Sequence, residues 1–344
     1  MAAGANGNVM NGRCMPSAAS ALWYVVPGHA ELRSEPLAAP GDGHALVRSL
    51  FSLVSRGTER LVFTGQVPQS EWQRMRAPLQ AGDFPFPVKY GYAAVGEVME
   101  GPADIRGRHV FALHPHQDWF VAPLSWLTAL PAGLPPRRAV LAANMETALN
   151  ALWDGEALPG QRIVVVGAGI VGLLVAYLCA RLPGADVTVA DVLTQRKAHA
   201  EAFGARFCHP DALDDSADLV FHTSAHPSGL AAALLACAHE ATIVEMSWYG
   251  EKQVAAALGG AFHVRRLRLI SSQVGHVAPA VRARWSHGRR LAKALELLRD
   301  PALDRLLDQD IAFHDMPAAC PALFAAQATG LTAVIGYSEA PKAG

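Results

Sequence analysis

At 344 residues the chain is too long for one ordinary hydrophobic core, so two domains are expected, and a composition 51% apolar and 17% charged is that of a globular protein. A formal net charge of −1 supplies no general attraction to nucleic acid or to an anionic membrane surface, and neither partner is expected. Five cysteines, Cys14, Cys179, Cys208, Cys237 and Cys320, form no C-x-x-C pair, which excludes a cysteine-built zinc site and a thioredoxin-type motif and fits a reduced, cytoplasmic protein.

The chain opens MAAGANGNVMNGRCMPSAAS, which lacks the basic start and apolar core of a secretory signal, so residues 1–19 read as a flexible tail. From about 20 to 140, short apolar runs such as ALWYVV, HALVRSLFSLV, AAVGEVME, RHVFALH and WFVAP are separated by Pro, Gly and Asp. That is the pattern of an antiparallel, partly barrel-like β domain. Near 135–158 the texture turns helical in PPRRAVLAANMETALNALWDGEAL. Strand candidates then follow at Arg162–Val166, Asp186–Ala190, Arg206–His209, Asp218–His222, Thr242–Met246 and Leu267–Ser271. Helical stretches at 170–182 and 229–238 lie between them, with Cys179 and Cys237 as buried small hydrophobes. The first of these is glycine-broken and too short to span a membrane. Such alternation predicts a doubly wound parallel sheet with helices on both faces. A basic helix (286–299), a strand (310–314), a helix (316–328) and a last strand (331–337) complete the chain.

The strongest motif is IVVVGAGIVGLLVAYLCA (163–180), in which Gly167-Ala168-Gly169-Ile170-Val171-Gly172 follows an apolar strand and opens an apolar helix. This is the dinucleotide context of G-x-G-x-x-G. Gly167 permits the tight turn, Gly169 lets backbone N–H groups approach a pyrophosphate, and Gly172 lets the helix pack on the strand. Unpaired N–H groups and the helix dipole favour an anion there. Asp191 ends the next strand and suits both ribose hydroxyls, while its charge repels a 2′-phosphate. NAD(H) is therefore favoured, with NADP(H) left open by the nearby Arg196 and Lys197. Three later strand ends carry Ser224, Ser247 and Ser272, which should line the nucleotide pocket.

A strand-rich N-terminal part, a nucleotide fingerprint near mid-chain and the C-terminal stretch IAFHDMPAACPALFAAQATGLTAVIGY (311–337) together resemble the medium-chain dehydrogenase/reductase superfamily of the zinc alcohol dehydrogenase type, over about residues 20–338. The resemblance implies an α/β protein in which a GroES-like β-rich catalytic domain (20–145 and 300–344) faces a Rossmann domain (146–299) across the active-site cleft. It also implies a homodimer. Zinc members carry Cys-Gly-Thr-Asp where this chain has Arg56-Gly57-Thr58-Glu59, and Gly-His-Glu where it has Gly91-Tyr92-Ala93. Their third ligand falls near Ala143-Asn144, and LHPHQDWFVAP (113–123) stands where their four-cysteine lobe would be. Arginine does not ligate zinc, so no zinc is expected. His114 and His116 alternate along one strand but lack a third ligand. The Ser-x-Gly-Thr-Glu-Arg-Leu stretch is similar to a zinc-less branch typified by bacteriochlorophyllide a dehydrogenase.

Without a metal, alkoxide stabilisation needs a cation or a tuned acid. Arg56 is a fixed charge at the ligand position, or the partner of Glu59 or Glu146. Tyr92 could be a phenol acidified by a nearby cation and able to shuttle a proton. Thr58 aligns with the relay hydroxyl of zinc members. Glu146 and Thr147, within ANMETALNAL (143–152), face the nicotinamide by the same resemblance, as base and cofactor contact. His114 would titrate near neutral pH. The basic stretch 265–293 reads either as a solvated face or as a site for an anionic substrate. The expected function is zinc-independent, NAD(H)-dependent interconversion of a secondary alcohol and a ketone on a small molecule. The alternatives are an NADPH-dependent enone or quinone reductase and a nucleotide-binding protein without turnover.

Overall fold

The computed structural model describes residues 9–10, 13–14 and 16–337. The tail expected over 1–19 lies mostly outside the described residues, but Ala18 and Ala19 already belong to a strand. Residues 338–344 of the expected C-terminal segment lie outside them too.

Alternating apolar residues build β1 (Ala18–Val26), β2 (His29–Pro36) and β3 (His44–Val54). The helix α1 (Arg56–Phe63) follows β3 directly. Sequence periodicity does not reveal this helix. It forms because the Glu59 carboxylate turns back to accept the Ser55 N–H at 2.7 Å, while Leu61, Val62 and Phe63 bury. Then come β4 (Ala94–Glu100), β5 (His109–Ala112), β6 (Trp119–Pro123), β7 (Leu127–Ala129) and α2 (Ala142–Asp154). The parallel part comprises β8 (Arg162–Val166), α3 (Ile170–Cys179), β9 (Asp186–Ala190), β10 (Arg206–Cys208), β11 (Ala217–His222), α4 (Pro227–Ala236), β12 (Cys237–Glu245) and β13 (Arg268–Ser271). The chain closes with α5 (His287–Leu297), β14 (Gln309–Ala312), α6 (Met316–Leu323) and β15 (Ala333–Gly336).

β3 is the spine of the N-terminal sheet, which runs β7-β5-β4-β3-β15-β14 with β6 also on β3. β15 lies antiparallel to β3, with Val334 opposite Leu53, so the C-terminal segment returns to complete this sheet. The second sheet runs β10-β9-β8-β11-β12-β13, all parallel, which is the doubly wound order. Its winding reverses between β8 and β11, so the ligand crevice lies beyond Val166 and His222. Leu53, Val95 and Phe111 share one core with Ala142, Met145 and Ala148 of α2 and with Val165 of β8. The helix α2 is thus packed between the two sheets.

Two expected boundaries shift. Cys237 opens β12 instead of closing a helix, because its backbone pairs with Ala217 across a register irregularity. The helix expected over 316–328 stops at Leu323, shortly after Pro321, which lacks the N–H a helix interior needs.

Candidate active site

The glycine-rich turn sits where the sheet winding reverses. Gly167 has φ +108°, a conformation open to glycine. A side chain at Gly172 would overlap the Gly167 carbonyl oxygen and come within 2.6 Å of Thr223 Oγ1, so α3 can approach β8 only without one. Space around Gly169 is open, and no side chain caps α3. The donor set and the open approach therefore fit a dinucleotide pyrophosphate at Gly169, Ile170, Val171 and Gly172. Gly172→Ala is expected to cost about 1–3 kcal/mol by overpacking, read by chemical denaturation, and to weaken nucleotide binding at the same time.

Asp191 is held at the lip of this turn. One carboxylate oxygen accepts the Ala168 N–H at 2.6 Å and the other the Leu193 N–H at 2.8 Å. Arg196, buried, instead donates to the carbonyls of Thr329 at 2.5 Å and Gly330 at 3.1 Å. Lys197 lies 3.7 Å from Glu201.

The serines chosen at strand ends have specific partners. Ser224 Oγ lies 2.7 Å from His222 Nε2, and Ser247 Oγ accepts the Ala225 N–H at 3.1 Å. Ser272 donates to Asp154 at 2.7 Å. Thr147 turns its hydroxyl back onto the Ala143 carbonyl at 2.9 Å, the local bond favoured by a helical threonine.

On the opposite wall, the Tyr92 hydroxyl interacts with the hydroxyls of Ser55 and Thr58, so two of the residues chosen from the sequence meet. Burial pushes its phenol up to about 12; the bonds to Ser55 and Thr58 oppose this, and the Glu59 charge adds to it. The expected acidified phenol is therefore corrected to one that stays protonated. Its expected cation faces elsewhere: Arg56 donates to the carbonyls of Ala328, at 2.6 Å, and Gly330, and pairs with neither Glu59 nor Glu146. Burial and then the neighbouring Arg196 and Arg60 charges lower the Arg56 pKa.

Glu59 and His116 carry a network that sequence reading passes over. Both are fully buried, with His116 Nε2 donating to Glu59 at 3.0 Å and Tyr24 donating to the same oxygen at 2.9 Å. His116 Nδ1 meets Ser52 at 2.8 Å, and Ser52 meets Tyr337 at 2.8 Å. No periodicity flags such a cluster, since its members come from separate segments.

His114 does not titrate near neutrality. Burial pushes it down to about 3, its Nδ1 donates to the Pro115 carbonyl at 2.8 Å, and its ring stacks on Phe120 at 3.9 Å. Glu146 is paired with the buried Arg290 at 2.9 Å, which rules against a free base there. Arg290 also donates to Asn150 and Val274, each at 2.5 Å. The basic stretch thus finds its acids from elsewhere: Arg265 pairs with Asp215 at 2.7 Å and Arg266 with Glu240 at 2.9 Å.

The three positions where zinc members place ligands offer a guanidinium, a protonated phenol and the Ala143-Asn144 pair. A cation is excluded from the first by charge, and the second would have to lose its proton against its burial. This donor set does not fit zinc. Among the described residues no group of three or more His, Cys, Asp or Glu could hold a metal ion. Asn144 Oδ1 is buried with no hydrogen-bond partner among the described residues.

Residues 148–268 match the family model described as alanine dehydrogenase/PNT, C-terminal domain. D-guloside 3-dehydrogenase of Escherichia coli (strain K12) is 25% identical over 79% of this chain and 86% of that protein. The 2-desacetyl-2-hydroxyethyl bacteriochlorophyllide A dehydrogenase of Cereibacter sphaeroides is 30% identical over 52% of this chain and 58% of that protein. The crystal structure of L-idonate 5-dehydrogenase from Escherichia coli superposes with a TM-score of 0.76 at 14% identity, covering 93% of this chain and 98% of that one, a likeness of fold. In sequence and in fold the chain is similar to zinc-type medium-chain dehydrogenases, and it is an oxidoreductase of the alcohol dehydrogenase type.

Proposed function

We propose that this protein is a zinc-independent, NAD(H)-dependent dehydrogenase that interconverts a secondary alcohol and a ketone on a small molecule. The observation that carries the reading is Tyr92 at one of the metal-ligand positions, beside the Ser55 and Thr58 hydroxyls, with a phenol that keeps its proton. A protonated phenol donates a hydrogen bond to the oxygen on which negative charge develops, which is the task a metal performs in zinc enzymes. When bound, the nicotinamide takes or supplies the hydride. The chain's part is to hold the dinucleotide on the Gly167–Gly172 turn and Asp191, and the reacting oxygen on Tyr92.

NAD(H) is favoured over NADP(H) for two reasons. Asp191 presents its carboxylate beside the turn, and Arg196, the nearest candidate for a 2′-phosphate, is engaged by the Thr329 and Gly330 carbonyls. Asp191→Ser should weaken NADH binding by about tenfold and narrow the gap to NADPH, as followed by nucleotide fluorescence titration; an unchanged preference would remove the ribose assignment. Zinc independence is tested by elemental analysis of active protein beside a screen of secondary alcohols and ketones. Stoichiometric zinc, with turnover lost on chelation, would sink it.

A further inference from the structure

Oxidation of a secondary alcohol sends a hydride to the nicotinamide and releases one proton. The wall bearing Thr58 holds no acceptor for that proton. Tyr92 stays protonated up to about 12, His114 is neutral and stacked on Phe120, Glu146 is tied to Arg290, and the His116–Glu59 pair is sealed from solvent. The opposite wall is different. We propose that Ser224, His222 and Glu245 form a proton-transfer chain that opens on the dinucleotide cleft and takes the substrate proton, a reading that rests on the dehydrogenation proposed above.

His222 is the last residue of β11, beside the reversal in the sheet, and is fully buried. Its Nδ1 lies 2.7 Å from Glu245 Oε2 at the end of β12. A carboxylate only accepts, so Nδ1 carries the hydrogen and Nε2 presents a lone pair. Ser224 Oγ stands 2.7 Å from that Nε2 and donates to it. The arrangement is that of a base oriented by an acid and facing a hydroxyl. The second Glu245 oxygen is fixed by the Ser247 N–H at 2.8 Å, and the Glu245 side chain keeps 17% exposure. The groups facing the imidazole are Glu245 and Tyr249 from the β12 end, with the hydroxyls of Ser224 and Ser247. From α4 comes Gly229, where a side chain would overlap Ser224 Oγ and lie 2.7 Å from Nε2, and just before it the His226 N–H donates to Ser224 Oγ at 3.3 Å.

Two further features place the chain at the cleft. A Cβ at Gly167 of the nucleotide turn would lie 2.8 Å from Ser224 N, so Ser224 borders that turn. Ala225, next to it, adopts φ +51°, a left-handed conformation costly for a residue with a Cβ, and its N–H is latched to Ser247. Beyond Glu245 the strand-end loop crosses to α1. A Cβ at Gly250 would meet Leu61 at 3.0 Å, and Trp248 packs on the cluster that holds Val62 and borders Tyr92. These contacts bring the loop after Glu245 against α1, the helix that carries Thr58. In the oxidative direction the alcohol proton passes to Ser224 Oγ as the serine's own proton moves to His222 Nε2. The imidazolium so formed is held by the Glu245 carboxylate and gives its Nε2 proton back through Ser224 Oγ to water once the ketone has left, which restores the Nδ1–H form. Ketone reduction runs the same steps backwards.

The test uses full-length protein with saturating NADH and 15N-labelled histidine. The His222 resonances, assigned by their loss in His222→Asn, should show the Nδ1–H tautomer in the NADH complex. Ser224→Ala, the mildest change, should slow alcohol oxidation at saturating NADH by about a hundredfold. Glu245→Gln should move the acid limb of kcat/KM to lower pH. An imidazole in the Nε2–H tautomer cannot take the serine proton and overturns the proposal, as does Ser224→Ala with the parent rate. An Nδ1–H His222 in a protein that turns over no alcohol or ketone would instead sink the dehydrogenation reading and leave only the Ser224–His222–Glu245 geometry standing.

Discussion

Glu59→Ala should destabilise the fold by about 3–5 kcal/mol, the loss typical of removing one partner of a buried charged pair. The side chain is fully buried and accepts three hydrogen bonds: Ser55 N–H at 2.7 Å, Tyr24 at 2.9 Å and His116 at 3.0 Å. Alanine leaves all three donors without an acceptor and no route to water. One of them is the N–H at the start of α1, so Thr58 and the partners of Tyr92 lose their anchor as well. Glu59→Gln should cost much less, about 1–2 kcal/mol. Its oxygen can keep the Ser55 bond. Its amide can donate to His116 if the imidazole changes tautomer and Ser52 accepts from Nδ1–H instead of donating. Ser52 and Tyr337 are both hydroxyls, so the row of bonds can reverse. Urea unfolding of the two variants reads the difference. A Glu59→Ala loss below about 1 kcal/mol would show that water replaces the carboxylate and that the network is not closed.

How much of the molecule is legible in the sequence depends on how local the signal is. The strand–turn–helix around Gly167 is readable because its glycines, its apolar strand and its apolar helix are contiguous, and because Asp191 follows at the spacing one βαβ unit imposes. The alternation that builds the parallel sheet is readable for the same reason. The helix α1 is not, since only eight residues form it and its first turn depends on a carboxylate folding back. Side-chain destinations are the least legible. Arg56 reads as a cation for the alkoxide or as a partner of nearby acids, but it reaches carbonyls on a loop more than 270 residues away in sequence. Glu146 reads as a base, but its partner Arg290 comes from the stretch that looks like a solvated basic face. His116 reads only as a strand neighbour of His114 and His222 only as a strand end, because a histidine gains its meaning from a carboxylate brought by another segment. Burial, which no single sequence displays, decides the protonation states of Tyr92 and His114.

That burial also sets the second large effect, in Tyr92→Phe. Turnover should fall by about a hundredfold or more, the range for losing one preorganised donor to a developing oxyanion, while NADH binds with unchanged affinity. The ring stays in place in either variant, packed edge-on against Tyr90 at 6.0 Å and within the core beside α2, so the change removes a hydroxyl and little else. A donor and a base make opposite demands on pH. With its phenol pushed up to about 12, Tyr92 contributes no ionisation to the rate between about pH 6 and 10. An alkaline limb in the parent profile that disappears in Tyr92→Phe would mean that the phenolate acts as a base, and the donor role would fall. The raised value also fixes a stability sign. The folded state keeps a proton that the unfolded chain loses at about 10, so this contribution is complete below that pH and is lost as pH rises through about 12. Tyr92→Phe should remove that contribution, and its denaturation midpoint should fall less steeply in alkali than the parent's. If both proteins lose stability in parallel there, the hydroxyl is more exposed than its bonds to Ser55 and Thr58 indicate, and water could compete with the substrate oxygen for it.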